Sequence, residues 1–229
     1  MKRKTAFCFF IVFCICLFAE EAPRVLRAPI WVYLEPVPGI MPAGSEEETG
    51  EDSREKLLPI RELDSVARFV MSGMVYGWKF TYTPSDKVRN VEEYFSMEPI
   101  QEIPRGDPRF KLTGITPAYP RLNSWAEFTF DEASGYWNKY WNSVLFKNGK
   151  GRGVGSRLDE TNGIRTAYSQ AVLNAVREHA RKLEKNKPKE ITGEILIKDN
   201  PRLYLSGGNF VADINVLINI KEIVPYRVF

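Results

Sequence analysis

The chain contains one imidazole, His179, between Glu178 and Ala180. A Ser–His or Cys–His mechanism would have to run through this single residue. No serine stands in a Gly-X-Ser-X-Gly elbow. All three cysteines (Cys8, Cys14 and Cys16) lie within the first 19 residues. His179 therefore reads as a surface position on a helix. One nitrogen ligand without a thiolate is too little for a zinc site. No metal, no cofactor and no catalytic residue are expected, and the chain is read as a non-enzyme.

Carboxylates could hydrolyse a substrate if two of them faced each other about 5–10 Å apart in a cleft. Asp131-Glu132 and Asp159-Glu160 are candidates by type. Both stand where helix N-termini are expected, and the helix dipole accounts for them without catalysis. The run from Gly149 to Arg157 has the composition of a phosphate loop, with Lys150, Arg152 and Arg157 as cations. It lacks the Walker spacing and the Gly-X-Gly-X-X-Gly order, so a flexible or bulged strand is expected there. The acidic run from Ser45 to Glu55 lacks the alternating ligands of a calcium loop and reads as a solvated loop.

Aromatic side chains are the one excess. Trp78, Trp125, Trp137 and Trp141 join 10 tyrosines and 14 phenylalanines. Three uses compete: core packing, which aromatic strand faces usually serve; a protein interface, which enriches such rings; and a stacking platform for sugars. Tyr136, Trp137, Tyr140 and Trp141 recur at helical spacing, and Trp137, Tyr140 and Trp141 are the candidate binding residues.

Lys2, Arg3 and Lys4 precede an apolar run from Ala6 to Ala19, and Glu20-Glu21 follow. This order predicts a secretory signal over residues 1–19, cleaved after Ala19. The run is shorter than the roughly 20 residues of a spanning helix, so no membrane span is expected after cleavage. Neither Cys14 nor Cys16 follows a small residue, which makes lipidation the lesser alternative. The mature chain has neither cysteine nor an Asn-X-Ser/Thr acceptor among its twelve asparagines. Both features suit a bacterial periplasm. Without Lys2, Arg3 and Lys4 the basic residues only match the 29 acidic ones. That balance lacks the basic surplus that nucleic-acid binding needs.

The elements follow from pattern. Residues 20–58 read as an extended proline-rich and acidic linker, with one short strand over Ile30–Leu34, and residues 59–229 as the globular part, with a possible subdivision near 148. A helix from Pro59 carries Leu63, Val66, Ala67 and Val70 at helical spacing and stops at Gly73. Met74 to Thr83 alternates as a strand with Tyr76, Trp78, Phe80 and Tyr82 on one face. A second helix is expected over Ser85–Met97, a strand near Phe110–Ile115, and another over Trp125–Asp131. Residues 132–147 suit a short helix and a strand through Val144–Phe146. Asp159 to Glu184 predicts one long amphipathic helix with Ala167, Ala171 and Ala175 at four-residue intervals. Strands follow over Ile191–Lys198, Arg202–Leu205 and Asn209–Ile220, the last two joined across Ser206-Gly207-Gly208. The terminal Tyr226–Phe229 is similar to the end of outer-membrane barrels, but Pro225 and Arg227 spoil the alternation. Fold class is thus α+β: an antiparallel sheet packed by a long C-terminal helix, with a further helix and aromatic strands N-terminal to it.

Residues 149–217 combine Gly151, Gly153 and Gly155, the alanine-spaced helix and the Gly-turn hairpin. In these features they resemble the helix-and-hairpin module of the flagellar T-ring protein and related bacterial periplasmic lipoproteins. That resemblance implies a structural role in assembly at the cell envelope, with envelope or flagellar-assembly proteins as partners and no catalytic residues to carry over. Two functions are expected in order: an exported structural or assembly protein working through its aromatic face and a strand edge, then a carbohydrate- or peptidoglycan-binding module using Trp137, Tyr140 and Trp141.

Overall fold

A computed structural model describes residues 24–34, 58–143, 145–183 and 186–226. The expected signal, the acidic run and the terminal 227–229 lie outside the described residues. The architecture is mixed α and β with antiparallel sheets, as the sequence pattern predicts. Strand β1 (Val25–Tyr33), β4 (Phe110–Ala118) and β5 (Arg121–Thr129) form one sheet in the order β1-β5-β4. The larger sheet holds β2 (Trp78–Thr83), β3 (Tyr94–Pro99), β6 (Lys147–Ser156), β7 (Glu190–Ile197), β8 (Arg202–Ser206) and β9 (Asn209–Val224). Its order is β3-β2-β7-β9-β6, and β8 pairs with β9 beside β7. The helices are α1 (Ile60–Val75), α2 (Glu132–Trp141) and α3 (Glu160–Leu183), the last preceded by a 3-10 turn at Arg157–Asp159.

Helix α1 is clamped between the sheets. Leu63, Val66, Ala67, Val70 and Met71 are all buried, and one continuous core runs from Ala28 in β1 to Ile218 in β9. Phe69 of α1 stacks on Trp78 of β2 at 5.1 Å and meets Tyr168 of α3 edge-on. The aromatic face Trp78, Phe80 and Tyr82 points into this core. Strand β6 crosses position 148 without a break in its ladder to β9.

Helix α3 lies directly on β6. Gly151, Gly153 and Gly155 occupy alternate positions of that strand, which puts them on one face. A Cβ at any of the three would come within 1.9–2.1 Å of a carbonyl oxygen of Ala171, Ala167 or Gly163. The glycines and the small residues of α3 thus form a two-sided seam of backbone against backbone. The expected flexible or bulged strand is instead a regular one, with ten consecutive pairs to β9. The glycines serve the helix rather than a phosphate.

Several boundaries differ from the sequence reading. The strand expected over Ile30–Leu34 begins at Val25 and is nine residues long. Pro29 is compatible with it because β1 is an edge strand, where no ladder partner needs its missing N–H. Gly73 does not stop α1, which runs on to Val75. Its missing side chain makes room for Trp78, whose ring lies 2.4 Å from where a Cβ would be. The turn falls at Gly77, whose φ of +87° is easy only for glycine, so β2 starts at Trp78 and Tyr76 is not part of it. The helix expected over Ser85–Met97 is absent. Asp86 accepts from the backbone of Val88 and from Arg89 and pairs with Val91. This local closure competes with helix formation, and Tyr94–Pro99 then extends as β3. No strand covers Phe146; β6 begins at Lys147.

Candidate functional site

The sequence-named residues Trp137, Tyr140 and Trp141 all sit on α2, and α2 crosses the outer face of the larger sheet. Its start is fixed by Asp131. The Asp131 carboxylate accepts from the Ser134 backbone N–H at 2.7 Å, and the Asp131 backbone N–H donates to the Ser134 hydroxyl oxygen at 2.8 Å. Arg109 adds an ion pair at 2.8 Å. The Ser134 bonds, helped by Arg109, hold Asp131 down to about 2. Asp131 thus serves as the cap of α2. Asp86 and Asp107 are also shifted downward, each chiefly by its bond to an arginine.

The far end of α2 is fixed by Trp141. Its ring is buried, and its Nε1–H donates to the Tyr76 carbonyl at 3.0 Å. It packs with Phe146 and Leu196 in a small second core on the outer sheet face. Trp141 is thus an anchor and cannot stack on a ligand, contrary to its place in the sequence-derived triad. Trp137 is half-buried, edge-on to Tyr76 at 6.3 Å.

Tyr140 is the junction between helix and sheet. Its hydroxyl donates to Glu194 of β7 at 2.6 Å and accepts from Asn219 and Lys221 of β9 at 3.0 and 2.9 Å. Lys221 pairs with Glu194 at 3.1 Å. Burial and the Glu194 carboxylate raise the phenol's pKa, while the bonds to Tyr140 and Glu194 raise that of the Lys221 ammonium. Both groups are driven away from neutrality. A general acid or base works best near the operating pH, so this cluster is a polar latch between α2 and the sheet.

Above the latch lies the exposed surface. Tyr136 is 64% exposed. Its ring runs nearly parallel to that of Tyr140, 6.4 Å away at 16°, and meets Trp137 edge-on at 5.8 Å. Leu145, 79% exposed, follows α2 in the chain. The result is an aromatic shelf with a polar border. The sequence pattern groups Tyr136 with the other three rings but leaves it out of the binding candidates, although it stands four residues before Tyr140, on the same helix face. Glu194, Asn219 and Lys221 carry no local signal, because only the strand pairing brings them together.

The other sequence candidates are scattered. Trp78 is buried, and Trp125 lies on the outer face of the smaller sheet beneath Arg27. Asp159 and Glu160 border the start of α3. His179 is half-buried on α3, and its pKa is lowered by burial and by Lys182 and Lys147. Among the described residues no cluster of histidine, cysteine or carboxylate could hold a metal ion. None of the described helices is long and apolar enough to cross a membrane.

A protein-family model matches residues 14–226. An uncharacterized protein of Treponema pallidum (strain Nichols) is 36% identical over 204 residues, which is 89% of this chain and 83% of that protein. No solved structure matches significantly.

Proposed function

The chain belongs to the family that this model describes and is related to the Treponema pallidum protein, and we propose a non-enzymatic, exported bacterial envelope protein with a structural or assembly role. Its working surface is the shelf of Tyr136, Trp137 and Tyr140. The observation that carries this reading is the shelf's construction. An exposed tyrosine is held against half-buried Trp137 and against Tyr140 of a four-membered polar latch, so little side-chain freedom remains to be lost on docking. Fixed aromatic anchors within a polar border are the usual composition of an interface hot spot. Export rests on the signal over residues 1–19. The resemblance of residues 149–217 to a flagellar and periplasmic module points to envelope or flagellar-assembly proteins as partners.

The test is site-specific photo-cross-linking in cells. A photoreactive phenylalanine replaces Tyr136 in one strain and exposed Tyr119, in the loop between β4 and β5, in another. Adducts in the envelope fraction are identified by mass spectrometry. Position 136 is expected to capture a discrete envelope protein that position 119 does not. Equal capture at both positions, or recovery of only free mature protein from position 136, refutes the proposal.

A further inference from the structure

A second surface lies where the end of α3 passes the start of β6. A groove of about 500 Å³ is lined there by Asn148 and Lys150 of β6, His179 and Lys182 of α3, Lys198 after β7, and Asn215 of β9. Such a volume suits a sugar-sized molecule. Three lysines thus line one groove from three separate places in the chain. Two carboxylates also line it, and only Glu178 has a cationic partner among the described residues. Glu178 pairs with Arg181 at 2.8 Å, and Asp199 accepts from Asn215 at 3.2 Å. Lys150 and Lys182 pair with no carboxylate among the described residues. Lys198 donates to the Asn148 amide oxygen at 3.1 Å, which leaves the Asn148 amide N–H groups and the Asn215 amide oxygen for hydroxyls.

A local surplus of cation has a cost that the fold leaves standing. Lys182 and Lys147 both oppose protonation of His179. The charge at the end of α3 can be explained in part by the helix dipole. That explanation does not reach Lys150, on β6, or Lys198, just after β7. We propose that this groove binds a sugar-sized ligand bearing an oxyanion, either a phosphate or a carboxylate, with Lys150, Lys182 and Lys198 around the anionic group and Asn148 and Asn215 on the hydroxyls. The site is separate from the Tyr136 shelf and does not depend on it.

His179 is the only histidine, so its ring is a single resolved reporter in the untagged mature protein. Its nitrogen shifts are followed by NMR during titration with glucose 6-phosphate, glucuronate and unmodified glucose, at constant ionic strength. A saturable shift with one of the anionic sugars, at least tenfold weaker with glucose, is expected. Which of the two binds tells phosphate from carboxylate. Binding should also raise the pKa of the ring, because the anion offsets the lysines that lower it. Lys150→Ala and Lys182→Ala should each weaken binding about fivefold or more, and Lys198→Glu should abolish it, while Tyr136→Ala leaves it unchanged. All four sites are on the surface, and an unaltered amide spectrum confirms the fold. No saturable shift with either anionic sugar up to about 10 mM, a shift reproduced by sodium chloride alone, or a response indifferent to the lysine variants overturns the proposal.

Discussion

Gly153→Ala should destabilise the protein strongly even though alanine is the better residue for most regular structure. A Cβ at position 153 would stand 2.1 Å from the Ala167 oxygen and 2.2 Å from the Ala171 nitrogen, where ordinary contact begins at 3.4 Å. Both opposing atoms are backbone, so no side-chain rotation relieves the clash, and α3 must lift by about 1 Å. Lifting opens the face that buries Ala167, Tyr168, Ala171, Val172 and Val176. Overpacking of this kind costs about 1–3 kcal/mol, and a backbone clash belongs at the upper end. Stiffening of the unfolded chain returns about 0.4–1 kcal/mol. The net loss is about 2 kcal/mol, which for a domain of this size lowers the melting temperature by roughly 4–8 °C. Gly135→Ala is the control. It lies inside α2, with nothing within 4 Å of a new Cβ, and should gain about 0.5–1 kcal/mol. Urea denaturation of both variants against the parent gives the two signs directly. A Gly153→Ala protein as stable as the parent would refute the seam.

Asp131→Ala removes the cap of α2 and should cost about 1 kcal/mol at neutral pH. Asp131 titrates at about 2 when folded and near 3.9 when unfolded, so its contribution is complete above about pH 4 and is lost as pH falls toward 2. The gap between variant and parent should therefore close across that window in acid titrations of stability. Tyr140→Phe deletes the hydroxyl that joins Glu194, Asn219 and Lys221 and should cost about 1 kcal/mol, visible as a lower urea midpoint with an unchanged slope. The folded pKa of His179 lies below 6.5, so the unfolded chain binds the proton better and stability is lost as pH falls below that value. His179→Gln should flatten that fall, and Lys182→Ala should raise the ring's pKa in an NMR titration.

The periodic elements were legible because their signal is local. The alanine spacing of α3, the alternation of β9 and the Ser206-Gly207-Gly208 turn each follow from contacts within a few residues. Errors fell where a distant partner decides the outcome. Gly73 reads as a helix stop, and only the arrival of Trp78 against α1 shows why a glycine stands inside the helix. Ser85–Met97 reads as a helix, whereas the Asp86 side chain closes a turn with Val88 and Arg89 and its backbone pairs with Val91. The candidate site was half legible for the same reason. Helical spacing grouped Trp137, Tyr140 and Trp141, but it could not say that Trp141 faces inward to the Tyr76 carbonyl. Nor could it bring Glu194 and Lys221 to Tyr140, since that depends on the register of β7 against β9.

The seam and the Trp141 anchor also fix the two surfaces independently, and this separates them experimentally. Close approach of α3 to β6 sets the height of His179 and Lys182 over Asn148 and Lys150. At Gly151 a Cβ would meet the Ala171 oxygen at 1.9 Å and the Ala175 Cβ at 3.1 Å, one turn from His179. The shelf depends instead on Trp141, Tyr140 and the Asp131 cap, which contact β7, β9 and the end of α1. Gly151→Ala should therefore shift the His179 resonance and weaken anionic-sugar binding several-fold, while cross-linking from position 136 persists. Asp131→Ala should do the reverse, fraying α2 and reducing the cross-link while the His179 titration is unchanged. If each variant disturbed both readouts equally, the two faces would be one cooperative surface, and the assignment of separate sites would fail.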